Sequence, residues 1–323
     1  MIFEGSEKKL ELVVREPVDL LAWPESRWLE LIEAAGTRAL SKIENSAACA
    51  YLLSESSLFI WRDRFTMITC GTTTLDEAAL KACKYLREDE IAALFYERKN
   101  EYFPQMQKTD FFSDARKLNR VIAGCGYRLG HADEHHLFLF HSCREFQPRK
   151  TDATLEILMY GLRGRAREVF NEPNQTAEWI RTQTGLAKLF SGYKVDDHAF
   201  SPIGYSLNAL NGARYYTVHV TPQNESPYVS FETNVNSRRD IESTIKSVLE
   251  VFQPRSFDVV YFDAVAERET VNVNGYVLRG AVREKLSCGF NVHYSHHSEV
   301  NAVEAPAWAL QLEQSAEVEA SRE

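Results

Sequence analysis

From Glu7 to Arg15 the chain alternates, with Leu10, Leu12 and Val14 on one side and Lys9 and Glu11 on the other. A period of two is that of a half-buried strand. The period then lengthens. Pro24 suits the first position of a helix, Trp28, Leu29, Leu31 and Ile32 make its apolar face, and Gly36 stands where it would end. Strand patterns follow at Ala48–Leu53, Leu58–Trp61 and Phe65–Thr69, the last two joined by Arg62-Asp63-Arg64, and a helix is expected from Leu75 to Leu86. The second half repeats this order. Tyr215–Val220 and Tyr228–Glu232 read as strands, and Asp240–Phe252 reads as a helix with Ile241, Ile245, Val248, Leu249 and Phe252 inward. Further strands are expected at Leu137–Phe140, Leu155–Tyr160, Asp258–Phe262 and Val277–Leu278. Strands outnumber helices and links are short, which predicts a largely antiparallel α+β fold, with an internal duplication suggested by the repeated order.

Composition narrows the class without naming a function. The 323 residues suffice for one large domain or two ordinary ones, and no Pro-, Gly- or Ser-rich linker divides them. From Asn301 the chain turns Ala/Glu-rich, which reads as a frayed tail. A net charge of −9 gives no ground for nucleic acid binding and mildly favours cationic ligands. Six scattered cysteines without a CxxC pair, a charged N-terminus and no long apolar run point to a reduced cytoplasmic protein with no membrane span.

The candidate chemistry centres on Leu53-Ser-Glu-Ser-Ser57, with Thr69-Cys-Gly-Thr-Thr73 close behind. A serine pair is ordinarily a solvated turn. Here it is accompanied by Phe3-Glu-Gly-Ser-Glu-Lys8, Phe95-Tyr-Glu-Arg-Lys-Asn100, Asp152-Ala-Thr-Leu-Glu-Ile-Leu-Met159 and Phe200-Ser-Pro-Ile-Gly-Tyr-Ser206. His219-Val-Thr-Pro222 and Tyr228-Val-Ser-Phe-Glu-Thr-Asn234 complete the set. From Phe3 to about Tyr294 these blocks together resemble the eukaryotic-type S-adenosylmethionine decarboxylases.

That resemblance implies a four-layer α/β/β/α sandwich with two mainly antiparallel sheets, forming one catalytic domain over residues 1–300. It also implies a proenzyme that cleaves itself between Glu55 and Ser56 into chains 1–55 and 56–323. Ser56 would become a pyruvoyl group, a ketone able to act as the electron sink for loss of carbon dioxide. Ser206 and His219 stand at the family's processing positions, and Cys70 matches its proton donor. Glu4 and Glu7 match acidic residues of the active site. Phe3 and Phe200 match the rings that sandwich adenine, with Leu53, Glu55 and Gln223 as further substrate contacts. The family uses a glutamate for the ribose where this chain has Gln223, and an amide is a weaker partner for hydroxyls than a carboxylate. The product would be the aminopropyl donor of spermidine and spermine synthesis. Family members occur both as homodimers of cleaved pairs and as monomers.

Many members are activated by putrescine in an acidic internal pocket. Glu11, Asp152, Thr154, Glu156 and Glu232 retain that pocket here, and Phe95, Arg98 and Phe262 fit its surroundings. Ile68, however, replaces a family lysine, and Lys9 falls where plant members carry an arginine that stands in for the diamine. Buried carboxylates need a cation. Lys9 is therefore expected to supply it, which removes the ground for putrescine activation.

Plainer readings exist for each residue. Cys70 could be a small core hydrophobe, His219 a core histidine and Phe200 a core aromatic. Two histidine groups, His131 to His141 with Cys143 and His293 to His297, could suggest a metal. Neither has HExxH or CxxC spacing, so no metal is expected. A pyruvoyl decarboxylase of another amino acid and a non-catalytic regulatory paralogue are the two alternative functions. Retention of Ser56, Cys70, Ser206 and His219 speaks against the second, and the Phe3 and Phe200 pair favours a nucleoside substrate over the first.

Overall fold

A computed structural model of the protein describes residues 4–189, 191–223, 226–234, 238–264 and 270–300. Phe3 and the Ala/Glu-rich stretch from Asn301 lie outside these residues. The first half runs β1 (Lys8–Val14), α1 (Glu25–Ala34), β2 (Ala39–Glu44), β3 (Ala48–Leu53), β4 (Ser56–Trp61) and β5 (Arg64–Thr69). It continues with α2 (Leu75–Tyr85), β6 (Ile91–Lys99), α3 (Phe111–Asn119), β7 (Gly124–Leu129) and β8 (Leu137–Ser142). The second half opens with β9 (Thr154–Tyr160), α4 (Gly164–Asn171), α5 (Ala177–Thr184), β10 (Lys194–Ala199), β11 (Tyr205–Asn211) and β12 (Arg214–Thr221). It closes with β13 (Tyr228–Thr233), α6 (Arg238–Phe252), β14 (Ser256–Asp263), β15 (Tyr276–Lys285) and β16 (Asn291–Glu299).

The strands form two eight-stranded antiparallel sheets, ordered β2-β3-β4-β5-β1-β6-β8-β7 and β10-β11-β12-β13-β9-β14-β16-β15. Position by position the two orders are the same, since β1 corresponds to β9 and each later strand to the one eight places on. The helix after β5 likewise has its counterpart after β13. The duplication suggested by the sequence is thus an identity of topology.

Period-two alternation decides which layer each side chain enters. On β1, Leu10 and Leu12 join Trp28, Leu31, Ala78 and Ala82 in a core between the first sheet and its helices. Leu155, Ile157, Val248 and Phe252 do the same for the second sheet. Two smaller apolar clusters lie between the sheets, one around Phe95, Leu158, Val260 and Phe290 and one around Phe59, Trp61, Leu210 and Tyr215. A buried polar seam also runs through that layer, including Ser57, Lys9, Glu97, Glu156, Asn208, Thr217, His219 and Glu232. Apolar contact holds the sandwich and the polar seam carries its chemistry.

Several elements exceed the sequence expectations. The strand expected at Val277–Leu278 spans Tyr276–Lys285, and β2, β6, β7, β10, β11 and β16 had no counterpart. β6 is buried on both faces along its whole length, which erases alternation. Among the described residues no helix is long and apolar enough to cross a membrane.

Candidate active site

Ser54 and Glu55 turn the chain from β3 into β4, so that Leu53 pairs with Ser56 and Ser56 in turn pairs with Thr69 on β5. Ser56 is held at φ 130°, a conformation that non-glycine residues rarely adopt. Such a backbone persists only where its surroundings impose it. Cys70, just beyond β5, does so: its backbone N–H donates to the Glu55 carbonyl oxygen at 3.1 Å. Its Sγ lies 3.6 Å from that same oxygen and 3.6 Å from Ser56 Oγ. Thr73 Oγ1 donates to the Cys70 carbonyl at 3.1 Å, and Gly71, at φ +67°, donates its N–H to Glu4 O at 2.8 Å. Burial, reinforced by Glu55, pushes the Cys70 thiol up to about 12. It therefore keeps its proton at neutral pH.

The facing strands bring the second group. Ser206 on β11 and His219 on β12 are cross-strand partners, with His219 Nδ1 at 3.0 Å from Ser206 Oγ. Desolvation drives His219 down to about 3, so the ring is neutral. Its Nε2 lies 2.9 Å from Thr217 Oγ1. Asn208 closes the connection to the first sheet, because Ser57 Oγ donates to its Oδ1 at 2.5 Å. Asn208 and Thr217 were invisible to sequence reasoning. Their signal is period-two spacing from Ser206 and His219, which puts all four on one face.

Glu4 and Glu7 diverge in role. Glu4 is buried with both oxygens engaged by backbone, Oε1 accepting from Ser6 N at 3.0 Å and Oε2 from Phe103 N at 2.7 Å. It shapes the loop that meets Gly71. Glu7 is wholly buried, and desolvation with repulsion from Glu156 and Glu232 raises its carboxyl from 4.5 to about 8, against a hydrogen bond from Ser230 and the charge of Lys9. It carries a proton at neutral pH. A carboxyl raised on folding favours the folded state at low pH and loses that contribution as pH rises toward the folded value. Between pH 6 and pH 9 wild type should lose roughly 2–3 kcal/mol relative to Glu7→Gln, at about 1.4 kcal/mol per unit. Denaturant melts across that range test this; parallel curves for the two proteins would refute it.

Deeper in the seam, Lys9 Nζ stands 2.5 Å from Glu156, 2.9 Å from Glu232 and 3.8 Å from Glu97. Tyr215 donates its hydroxyl to Glu232 as well. Those carboxylates hold the Lys9 ammonium well above its usual range, while burial raises Glu97 strongly and Glu156 to about 7. Glu11 and Asp152 belong to a second cation, Arg64, at 3.3 and 2.9 Å. The cavity beside Glu11, Arg64, Phe95, Thr154, Phe262 and Phe290 measures about 10 Å³, room for about one water. Arg98 is a correction. It points to the opposite face of β6, bonding Asp114 at 2.5 Å and Thr109 at 3.1 Å on the α3 side, and Glu97 takes the pocket position.

Leu53 is a second correction, since its side chain packs into the helix-side core instead of lining a site wall. Phe200 lies at the β10–β11 turn, half-buried, with His198 edge-on at 4.7 Å. Gln223 is half-buried just past β12. The histidine groups serve other purposes. His296 Nδ1 bonds Asp258 at 2.6 Å and stacks on His135 at 4.7 Å, and His297 stacks on Phe257. Among the described residues no three His, Cys, Asp or Glu stand together to hold a metal ion.

Comparison with known proteins agrees with this geometry. The family profile described as adenosylmethionine decarboxylase matches residues 1–302. An S-adenosylmethionine decarboxylase proenzyme of Trypanosoma brucei brucei is 31% identical over 338 residues, covering 96% of this chain and 87% of its own. Proenzymes of the same description from Xenopus laevis and Trypanosoma cruzi are 34% and 35% identical, over 80% of this chain and 83% and 75% of theirs. In structure the chain resembles the Trypanosoma brucei AdoMetDC-delta26 monomer, with a TM-score of 0.58 and 25% identity over 76% of this chain and 99% of that one.

Proposed function

The chain belongs to the adenosylmethionine decarboxylase family, and from that premise we propose the parts its residues play. The protein decarboxylates S-adenosylmethionine, in the service of polyamine synthesis, through a pyruvoyl group made by its own cleavage. The observation that carries the assignment of residues is the turn at Ser56. A strained serine stands next to a Glu55 carbonyl whose oxygen already accepts the Cys70 N–H.

Ser56 Oγ attacks the Glu55 carbonyl carbon, and the Cys70 N–H stabilises the charge that gathers on the carbonyl oxygen. The Ser56 hydroxyl proton passes to the nitrogen as the carbon–nitrogen bond breaks, freeing the Ser56 amine and leaving an ester. His219, neutral and basic at one ring nitrogen, removes the Ser56 Cα proton while Glu55 departs as a carboxylate. The unsaturated residue 56 takes up water, releases ammonia and becomes a ketone. Chains 1–55 and 56–323 result.

A pyruvoyl group suits the residues around position 56. The backbone there is buried, and a protonated thiol lies 3.6 Å from Ser56 Oγ. Once formed, a pyruvoyl group at position 56 would supply the electron sink for the loss of carbon dioxide. Cys70 holds at Sγ the proton for the product carbon. Glu7, uncharged at neutral pH, borders the thiol. Phe200 with Phe3 would stack on the adenine, Glu55, Gln223 and the Leu53 backbone would hold the nucleoside, and Glu4 fixes the loop beneath.

Lys9 supplies the pocket cation, so putrescine is not required. Residues 1–300 make one catalytic domain, and the 1–55 fragment is its obligatory partner. All six cysteines are free, which supports a cytoplasmic setting.

Intact mass of the purified protein tests the reading. Two chains split at Glu55–Ser56 are expected, the larger lighter by one ammonia than a serine N-terminus would make it. A single unbroken chain overturns it.

A further inference from the structure

Thr217 Oγ1 has three polar neighbours: the Leu207 carbonyl oxygen at 2.9 Å, Asn208 Oδ1 at 3.0 Å and His219 Nε2 at 2.9 Å. A hydroxyl carries one proton. The two oxygens have none to give, so a Thr217 proton turned to Nε2 would leave two bare oxygen–oxygen contacts, whereas one given to either oxygen leaves a single such contact and is favoured. What remains on Thr217 Oγ1 is a lone pair, and the neighbour able to donate to it is His219 Nε2. The orientation of Asn208 is itself fixed. Its Nδ2 donates to the Tyr51 carbonyl at 3.0 Å and its Oδ1 receives Ser57 Oγ. Flipping the amide would set oxygen against oxygen at Tyr51.

We propose that Thr217 is a positioning residue that fixes His219 as the Nε2–H tautomer, leaving the basic electron pair on Nδ1 toward Ser206, while Asn208 anchors Thr217 to the hairpin that carries the scissile bond. Ser206 Oγ then donates to His219 Nδ1. Burial reinforces the arrangement, since a ring driven down to about 3 cannot hold protons on both nitrogens at neutral pH. Tyr51 is on β3 and Ser57 on β4, so Asn208 ties both strands flanking the Glu55–Ser56 turn to the sheet that holds the base. Without the Thr217 hydroxyl, the ring loses the acceptor that selects its tautomer. An Nδ1–H toward Ser206 leaves the base without a lone pair on that side.

The inference rests on the role proposed above for His219 in self-processing, and the test separates the two. Precursor cleavage is followed by intact mass for wild type, Thr217→Val, Thr217→Ser and His219→Ala, with and without hydroxylamine, which cuts an ester but not an amide. Thr217→Val should reach the ester and stall, slowed on the order of 10²-fold as expected for a misdirected base. It should therefore be cut by hydroxylamine at residue 55. Thr217→Ser, which keeps the hydroxyl, should process at close to the wild-type rate. His219→Ala should stall at the same ester. If His219→Ala processes normally, the role of His219 falls and this inference with it. If His219→Ala stalls but Thr217→Val processes at the wild-type rate, or stalls with no hydroxylamine-sensitive ester, only the tautomer inference falls. A direct measurement needs no Thr217 variant: imidazole ¹⁵N shifts of His219 in the uncleaved Ser56→Ala chain. Protonated Nε2 with bare Nδ1 is expected, and the reverse pattern overturns the proposal.

Discussion

Ser56→Ala should remain one 37.0 kDa chain and show no decarboxylase activity. The substitution removes one oxygen from a buried turn and leaves the Cys70 N–H on the Glu55 carbonyl unchanged. Folding stability should therefore move little. Chemistry should vanish, because the same oxygen is both the nucleophile of cleavage and the leaving group whose loss creates the ketone. No other side chain can supply an electron sink at that position. The expected fall in turnover is on the order of 10⁶-fold or more, the range that separates enzymes from uncatalysed reactions. Mass spectrometry and carbon dioxide release read the two effects separately. Cleavage of Ser56→Ala at Glu55, or turnover near the wild-type rate, would show that the nucleophile has been misplaced. Ser57 makes the distinction sharp. It is the next residue, yet its hydroxyl is committed to Asn208 at 2.5 Å and faces the second sheet.

The fold class was legible because alternation on β1 and the helix faces of α1, α2 and α6 is strong, and because the order of elements repeats. What stayed hidden has physical causes. β6 carries no alternation, since the first sheet is covered on one side by helices and on the other by the second sheet. A strand of that kind reads the same as any buried run. The exchange of Arg98 for Glu97 is a one-residue error on such a strand, and with a period of two one residue moves a side chain to the opposite face. Arg64 looked like part of a connecting turn. Only pairing of β5 against β1 sets it beside Glu11, and only the packing of the sheets sets it beside Asp152. The site divides in the same way. Ser56 and Cys70 are fourteen positions apart and joined by one hairpin, so a local motif showed them. Thr217 stands two residues from His219 on the same strand, but its link to Asn208 crosses strands and that of Asn208 to Ser57 crosses sheets, and local spacing encodes neither link.

Lys9→Met should destabilise the fold strongly while leaving the catalytic turn intact, and a diamine should partly reverse it. The side chain is almost without solvent exposure, and its ammonium is shared by Glu156, Glu232 and Glu97. Removing one partner of a buried ionic group leaves uncompensated charge, at a cost of about 3–5 kcal/mol. Methionine keeps the length of the stem and so isolates the charge from the packing. The carboxyls can relieve part of the cost by taking protons, because burial already raises Glu97 strongly and holds Glu156 at about 7. The deficit of Lys9→Met should therefore shrink as pH falls from 8 toward 6 and widen again above. Putrescine carries the same kind of ammonium on a mobile stem and should raise the melting temperature and turnover of Lys9→Met. Wild type should not respond, because its cation is built in and already shared by Glu156, Glu232 and Glu97. A several-fold activation of wild type by putrescine would show that Lys9 does not complete the pocket. An unchanged melting temperature in Lys9→Met would show that the three carboxyls had never depended on it.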